Sequence, residues 1–213
     1  MTAAENCVLP EFFHPVNILV LVSGNGSNLQ ALMDAEKIGG LANARISAVL
    51  SDRGGAYALE RAKAAGIPAF VERPDPLLHI DERRLELSDR ILRLCREKQT
   101  GLIVCAGFLS ILAGELIKEF SGRIINLHPA LLPKFGGPGM YGERVHRAVL
   151  DAGETESGCT VHLVDAGTDT GPIILQRRVP VLPGDSPESL AERIHREEHI
   201  SIVEAVRKLL EDQ

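Results

Sequence analysis

Short, nearly unbroken apolar runs alternate with segments of helical periodicity along most of this chain, and that rhythm admits few folds. The runs cover Asn17–Val22, Arg45–Leu50, Ile67–Val71, Leu102–Cys105, Arg123–Leu127, Thr160–Val164 and Pro172–Val181. Each is strand-sized, and apolar residues at successive positions mark strands covered on both faces, as in parallel sheets. Helical patterns fall between them at Ser27–Glu36, Ala56–Ala65, Asp81–Lys98, Leu109–Phe120, Gly142–Asp151 and Pro187–Leu210. The fold class that follows is α/β: a single doubly wound, mostly parallel sheet with helices on both faces. At 213 residues the chain is long enough for one sizeable core. Residues 17–213 are read as one domain and residues 1–16 as a flexible N-terminal extension.

Several partner classes are excluded at this stage. No apolar run approaches the ~20 residues of a membrane-spanning helix. The opening Met1–Pro15 contains Glu5, Glu11, Pro10 and Pro15 and no basic cluster, unlike a signal peptide, so a cytoplasmic location is expected. Cys7, Cys95, Cys105 and Cys159 are widely spaced without a Cys-x-x-Cys pair, which suits reduced thiols better than a disulfide or a zinc site. No metal is expected. A net charge of −6 argues against a nucleic-acid or membrane-surface footprint, so any anionic ligand has to be held by local donors.

Three segments carry candidate chemistry. Ser23-Gly-Asn-Gly-Ser-Asn28 follows the first strand and opens a helix. Its glycines permit close backbone approach, and free N–H groups at a helix start favour a phosphate. No Gly-Lys-Ser/Thr follows and Leu29 occupies the third glycine position, so it is neither a Walker loop nor a dinucleotide fingerprint. Residue physics alone leaves two readings open: a phosphate loop, or a tight turn with Ser27 or Asn28 capping the helix.

The second segment is Asn126-Leu-His128-Pro129 at the end of the fifth strand. Residues two apart share a strand face, so a carboxamide and an imidazole are presented together. That pair suits acyl transfer, where an oxyanion needs donors and a leaving group needs a proton. The plainer reading is a satisfied, buried histidine. The third segment, Asp165-Ala-Gly-Thr-Asp169-Thr-Gly-Pro172, reads either as a turn between two strands or as the source of an acid. Asp169 beside His128 would raise the imidazole pKa and hold it charged.

Glu198 lies on the apolar face marked by Leu190, Ile194, Ile202, Val206 and Leu209. A carboxylate there needs a partner. It either accepts from a substrate amine or pairs with Arg193 or Arg196. His162 is read as packed within a strand. The long glycine- and proline-rich segment 129–142 follows a strand end, where open α/β sheets keep their crevice, and is expected to cover a ligand.

Taken together, Ser23–Gln30, Ala106-Gly-Phe108, Asn126–Pro133, Gly158–His162, Asp169–Ile173 and Glu198-His199 resemble the phosphoribosylglycinamide formyltransferases of purine synthesis, over a stretch from about Asn17 to the C-terminus. The resemblance implies transfer of the formyl group of 10-formyltetrahydrofolate to the amine of glycinamide ribonucleotide. It implies direct amine attack, with no covalent enzyme intermediate. Asn126 and protonated His128 would stabilise the oxyanion, and Asp169 would keep His128 charged and order a proton-shuttling water. Gly26, Ser27 and Asn28 would hold the phosphate, and Glu198 with His195 would orient the glycinamide end. The folate would lie along Leu109, Ser110, Ile111 and Leu112 and the loop of Asp165, Ala166, Gly167, Thr168 and Asp169, with Arg84 approaching its glutamate tail. The only partners implied are these small molecules, for a monomer or homodimer.

Two features depart from the family pattern. Leu109-Ser110 stands where many members carry Met-Arg, which predicts a looser or differently charged folate wall. The segment Phe135–His146 is longer than usual, which puts ligand contacts by Arg144 and His146 in question. Rival readings are formyltransferases acting on methionyl-tRNA or on a sugar nucleotide and a formyltetrahydrofolate hydrolase; the first and last usually carry additional domains, and the chain length disfavours them. A further alternative is a nucleotide-binding module without chemistry. Asn126, His128 and Asp169 occurring together argue against it.

Overall fold

The structure is a computed structural model and describes residues 15–211. Seven strands form one sheet in the order β3-β2-β1-β4-β5-β6-β7. They are β1 Val16–Val22, β2 Ala44–Ser51, β3 Ala69–Val71, β4 Thr100–Cys105, β5 Ile124–His128, β6 Glu156–Leu163 and β7 Ile173–Pro180. β1 pairs in parallel with β2 and β4, β2 with β3, and β4 with β5. The sheet is therefore mostly parallel, as expected, but β6 runs antiparallel to both β5 and β7. β7 forms an edge and is largely half-exposed, so its apolar run lacks the cover that parallel strands receive.

The expected extension 1–16 lies outside the described residues except at its end, where Val16 already belongs to β1.

Alternation along the central strands builds two cores. Val16, Ile18, Val20 and Val22 of β1 point into one, and Leu19 and Leu21 into the other. The first is closed by α1 Ser27–Lys37, α2 Tyr57–Ala64, α5 Glu143–Asp151 and α6 Pro187–Glu211, through residues such as Leu32, Ala58, Val149 and Ile202. The second is closed by α3 Ile80–Glu97 and α4 Glu115–Glu119, through Leu87, Ile91 and Leu116. Burying a single such side chain contributes about 1.5–3 kcal/mol, so two covered faces supply most of the drive to fold.

Helix ends follow local chemistry. Pro187 opens α6 behind Ser186, whose hydroxyl accepts from Ser189 N–H at 3.2 Å. Glu82 in the first turn of α3 accepts from His79 N–H at 3.1 Å. The expected helix Leu109–Phe120 is a correction: only Glu115–Glu119 is helical. Gly107 and Gly114 adopt positive φ, and side chains take the intervening N–H groups, Ser23 Oγ that of Leu109 and Ser88 Oγ that of Ala113. Those bonds replace the i→i−4 ladder and leave residues 107–114 as an irregular wall.

Because β1 leads toward β2 and β4 leads toward β5, the strand order reverses between β1 and β4. Open α/β sheets place their crevice at the carboxyl ends of strands at such a point. The turns after β1, β4 and β5 line one cavity here.

Candidate active site

A cavity of about 460 Å³ is bounded by Gly24–Asn28 after β1, Cys105–Leu112 after β4, Asn126–Pro129 after β5, Gly137–Gly142, and Gly167–Asp169. The segment expected to cover a ligand thus supplies one wall, together with His146, whereas Arg144 stacks over Tyr141 outside the lining.

The loop after β1 turns on Gly26, the residue before α1, with φ of +79°. A Cβ at Gly26 would lie 2.5 Å from Ala58 Cβ, so both conformation and contact demand glycine. The capped-turn reading fails, because no side chain caps α1. The opening N–H groups of the helix are thus left without side-chain acceptors beside the cavity that Gly26, Ser27 and Asn28 line.

Asn126 and His128 leave β5 on the same side, as strand periodicity predicts, and Asp169 reaches them from the far loop. His128 Nδ1 is 3.5 Å from Asp169 Oδ2, and Asn126 Nδ2 is 3.5 Å from Asp169 Oδ1. Asp169 holds φ of +58°, a backbone state that Asp tolerates better than most residues, and its Oδ2 accepts from Gly137 N–H at 3.0 Å. His128 is 3% exposed, and its Nε2 donates to the Phe135 carbonyl at 2.8 Å. That carbonyl places the ring proton on Nε2 and leaves Nδ1 toward the carboxylate.

The protonation expectation requires correction. Burial pushes the His128 pKa down and outweighs Asp169 and the Phe135 carbonyl, which push it up, so the net value lies below the ordinary one. Asp169 is itself buried, which raises its pKa. The neighbouring His162 and His128 imidazoles and the Gly137 N–H more than offset this, and it remains below its ordinary value.

His162 is the residue that sequence reasoning under-read. It is packed within a strand, as expected, but antiparallel pairing sets it opposite Asn126. Its Nδ1 donates to the Leu163 carbonyl at 2.8 Å, so Nε2 accepts from Asn126 Nδ2 at 3.2 Å and lies 3.6 Å from Asp169 Oδ1. The only sequence signal was its place in Gly158–His162; its partner depended on a strand direction that the apolar run did not encode.

Glu198 is 4% exposed and accepts from His195 Nδ1 at 2.8 Å and from Asn28 Nδ2 at 3.2 Å. Arg193 pairs instead with Asp185, so that alternative partner is excluded. Burial raises the Glu198 pKa, but the His195 and Asn28 contacts bring it below its ordinary value. The Glu198 contact in turn holds the His195 pKa above its ordinary value. The Asn28 side-chain oxygen is buried beside this carboxylate without a hydrogen-bond partner. A carboxylate and a bare carbonyl oxygen side by side form a receptor for N–H donors.

Leu109, Ser110, Ile111, Leu112, Gly167 and Thr168 also line the cavity. Ser110 donates to Asp52 at 2.7 Å and Leu109 N–H to Ser23 Oγ at 2.8 Å, so this wall is pinned rather than loose. Asp165 and Ala166 lie outside the lining; Asp165 shapes the loop by accepting from Gly167 N–H and Thr170 Oγ1. Arg84 pairs with Asp81 on α3, also outside the lining. Among the described residues no His, Cys, Asp or Glu cluster is placed to hold a metal, and no helix is long and apolar enough to cross a membrane.

The formyl transferase family pattern matches residues 16–206. The chain belongs to that family. Within the formyl transferases it resembles the phosphoribosylglycinamide formyltransferase of Escherichia coli K12, at 39% identity over 185 residues, covering 86% of this chain and 82% of that protein. The crystal structure of glycinamide ribonucleotide transformylase 1 from Symbiobacterium toebii superposes with a TM-score of 0.83 at 39% identity, covering 96% of this chain and 93% of that one. A trifunctional purine biosynthetic protein adenosine-3 of Drosophila pseudoobscura pseudoobscura is 46% identical over 195 residues, or 90% of this chain. The chain spans only 14% of the length of that relative.

Proposed function

We propose that this formyl transferase moves the formyl group of 10-formyltetrahydrofolate to the amine of glycinamide ribonucleotide, a step of purine synthesis carried out in the cytoplasm. The observation that carries the reading is the convergence of Asn126, His128 and Asp169 in one cavity, between an uncapped helix start and a buried amine receptor. The phosphate sits at Gly26, Ser27 and Asn28, with the amine end at Glu198 and His195. Phe108, Leu109, Ile111, Leu112 and Val164 offer apolar contact for a planar ring, and Ser110 and the Gly167–Asp169 loop complete that wall.

The folate supplies an electrophilic formyl carbon, and negative charge gathers on the formyl oxygen as the amine adds. Asn126 and His128 meet that charge. The Asn126 bond to Asp169, at 3.5 Å, stands at the outer limit of hydrogen bonding, so that donor is drawn readily to a stronger acceptor, and His128 becomes a second donor once Nδ1, 3.5 Å from Asp169, is protonated. As the amine adds, its nitrogen sheds a proton that the buried neutral ring takes up on Nδ1 beside Asp169, with the Phe135 carbonyl holding Nε2. The imidazolium then gives that proton to the folate nitrogen as its bond to the formyl carbon breaks, leaving the formylated amide, the deformylated folate and a neutral ring. Asp169 therefore acts by raising a pKa that burial has lowered. Loss of its charge in Asp169→Asn should lower the His128 pKa further, as read from the pH titration of the His128 ring protons by NMR. An unchanged or raised value contradicts the assignment.

The reading is tested by substrate dependence: deformylation of the folate has to require the ribonucleotide.

A further inference from the structure

Arg61 lies outside the cavity, yet its guanidinium is committed to the loop that forms one end of it. From α2, Nε donates to the Asn25 backbone carbonyl at 2.9 Å, Nη2 to Asn25 Oδ1 at 3.0 Å, and Nη1 to Gln30 Oε1 at 3.1 Å. The guanidinium carbon also lies 5.0 Å from the centre of the Tyr57 ring. The same helix braces the loop twice more: Ala58 N–H donates to the Gly24 carbonyl at 3.1 Å, and Gly26 packs against Ala58.

The chemistry of this fork settles how Asn25 is turned. Arginine is donor-only, so the amide atom facing Nη2 has to be the oxygen. Asn25 lines the cavity, and with its oxygen turned to the guanidinium the end left to meet a ligand is Nδ2 with its two N–H donors. Without the fork an exposed asparagine can present either end, and half of its orientations set an acceptor oxygen against an anion.

We propose that Arg61 is a positioning residue for the phosphate-binding loop, locking Asn25 so that its amide N–H groups join the loop in holding the substrate phosphate. This rests on the phosphate assignment given above. Lysine at position 61 keeps the charge but lacks the planar fork, so Arg61→Lys separates positioning from simple attraction of an anion.

The test is calorimetric binding of ribose 5-phosphate to the full chain and to Arg61→Lys, Asn25→Ala and the double variant, each checked for an unchanged melting temperature. Arg61→Gln replaces any Arg61→Lys preparation that melts early. Each single change is expected to weaken binding about tenfold, and the double variant should be little weaker than either, because both remove one coupled arrangement. In steady-state turnover Arg61→Lys should raise the KM for the ribonucleotide and leave kcat and the folate KM within about threefold, since a fork outside the cavity touches neither reacting group. Binding by Arg61→Lys equal to the parent, or fully additive losses in the double variant, overturns the inference and leaves the phosphate assignment standing. A parent chain that fails to bind ribose 5-phosphate overturns the phosphate assignment and the inference with it.

Discussion

His128→Ala is expected to reduce turnover by about 10²–10³-fold, the loss that follows removal of one oxyanion donor from a preorganised site. The imidazole is held by the Phe135 carbonyl at 2.8 Å and faces Asp169 at 3.5 Å, so its position is set before any ligand arrives. Alanine removes the donor and leaves the Phe135 carbonyl and the Asp169 carboxylate without that partner, but Asp169 keeps the Gly137 N–H. Folding should survive, because the apolar cores lie along the strands and helices rather than at this strand end. Steady-state kinetics checks the expectation. A variant within a few-fold of the parent in kcat would remove His128 from the reaction.

Glu198→Ala is expected to lower kcat/KM for the ribonucleotide by about 10–100-fold, the range for hydrogen bonds made to a charged group. The loss should appear mainly in the ribonucleotide KM, with the folate KM little changed. The carboxylate currently satisfies both Asn28 and His195, so truncation also releases the Asn28 amide that borders the phosphate loop. The His195 pKa should fall at the same time, since the Glu198 contact is the main cause of its elevation. An unchanged ribonucleotide KM would reduce Glu198 to a structural link between α1 and α6.

How far the residues revealed their own arrangement depended on the range of the interactions involved. The central strands were legible because parallel strands buried on both faces must be apolar at successive positions, and Ile18–Val22 and Leu102–Cys105 are. Pairing of Asn126 with His128 was legible because strand periodicity is local. The wall at 107–114 was not, because Leu109-Ser-Ile-Leu-Ala is compatible with a helix, and besides the positive φ of Gly107 and Gly114 it is distant Ser23, Ser88 and Asp52 that hold it otherwise. The direction of β6, and with it His162, depended on tertiary pairing with β5. Asp169 could be named as an acid but brought to His128 only by the fold. The sign of the His128 shift is not legible for the same reason: the sequence contains the carboxylate that raises it but not the depth of burial that outweighs it.

Shape and chemistry are separable in the loop after β1. Gly26 is required by its φ of +79° and by Ala58, whereas Asn25 and Asn28 adopt their roles through distant partners, Arg61 and Glu198. Changes at Gly26 should therefore disturb structure, and changes at the two asparagines should disturb binding.

The transfer reaction is read from the initial rate at which the purified chain releases deformylated folate from 10-formyltetrahydrofolate, with and without glycinamide ribonucleotide. Release is expected to depend on the ribonucleotide and to saturate with it. Release at the same rate in its absence would contradict the transferase reading and point to hydrolysis, and no release under either condition would contradict the assignment of Asn126, His128 and Asp169 to formyl transfer.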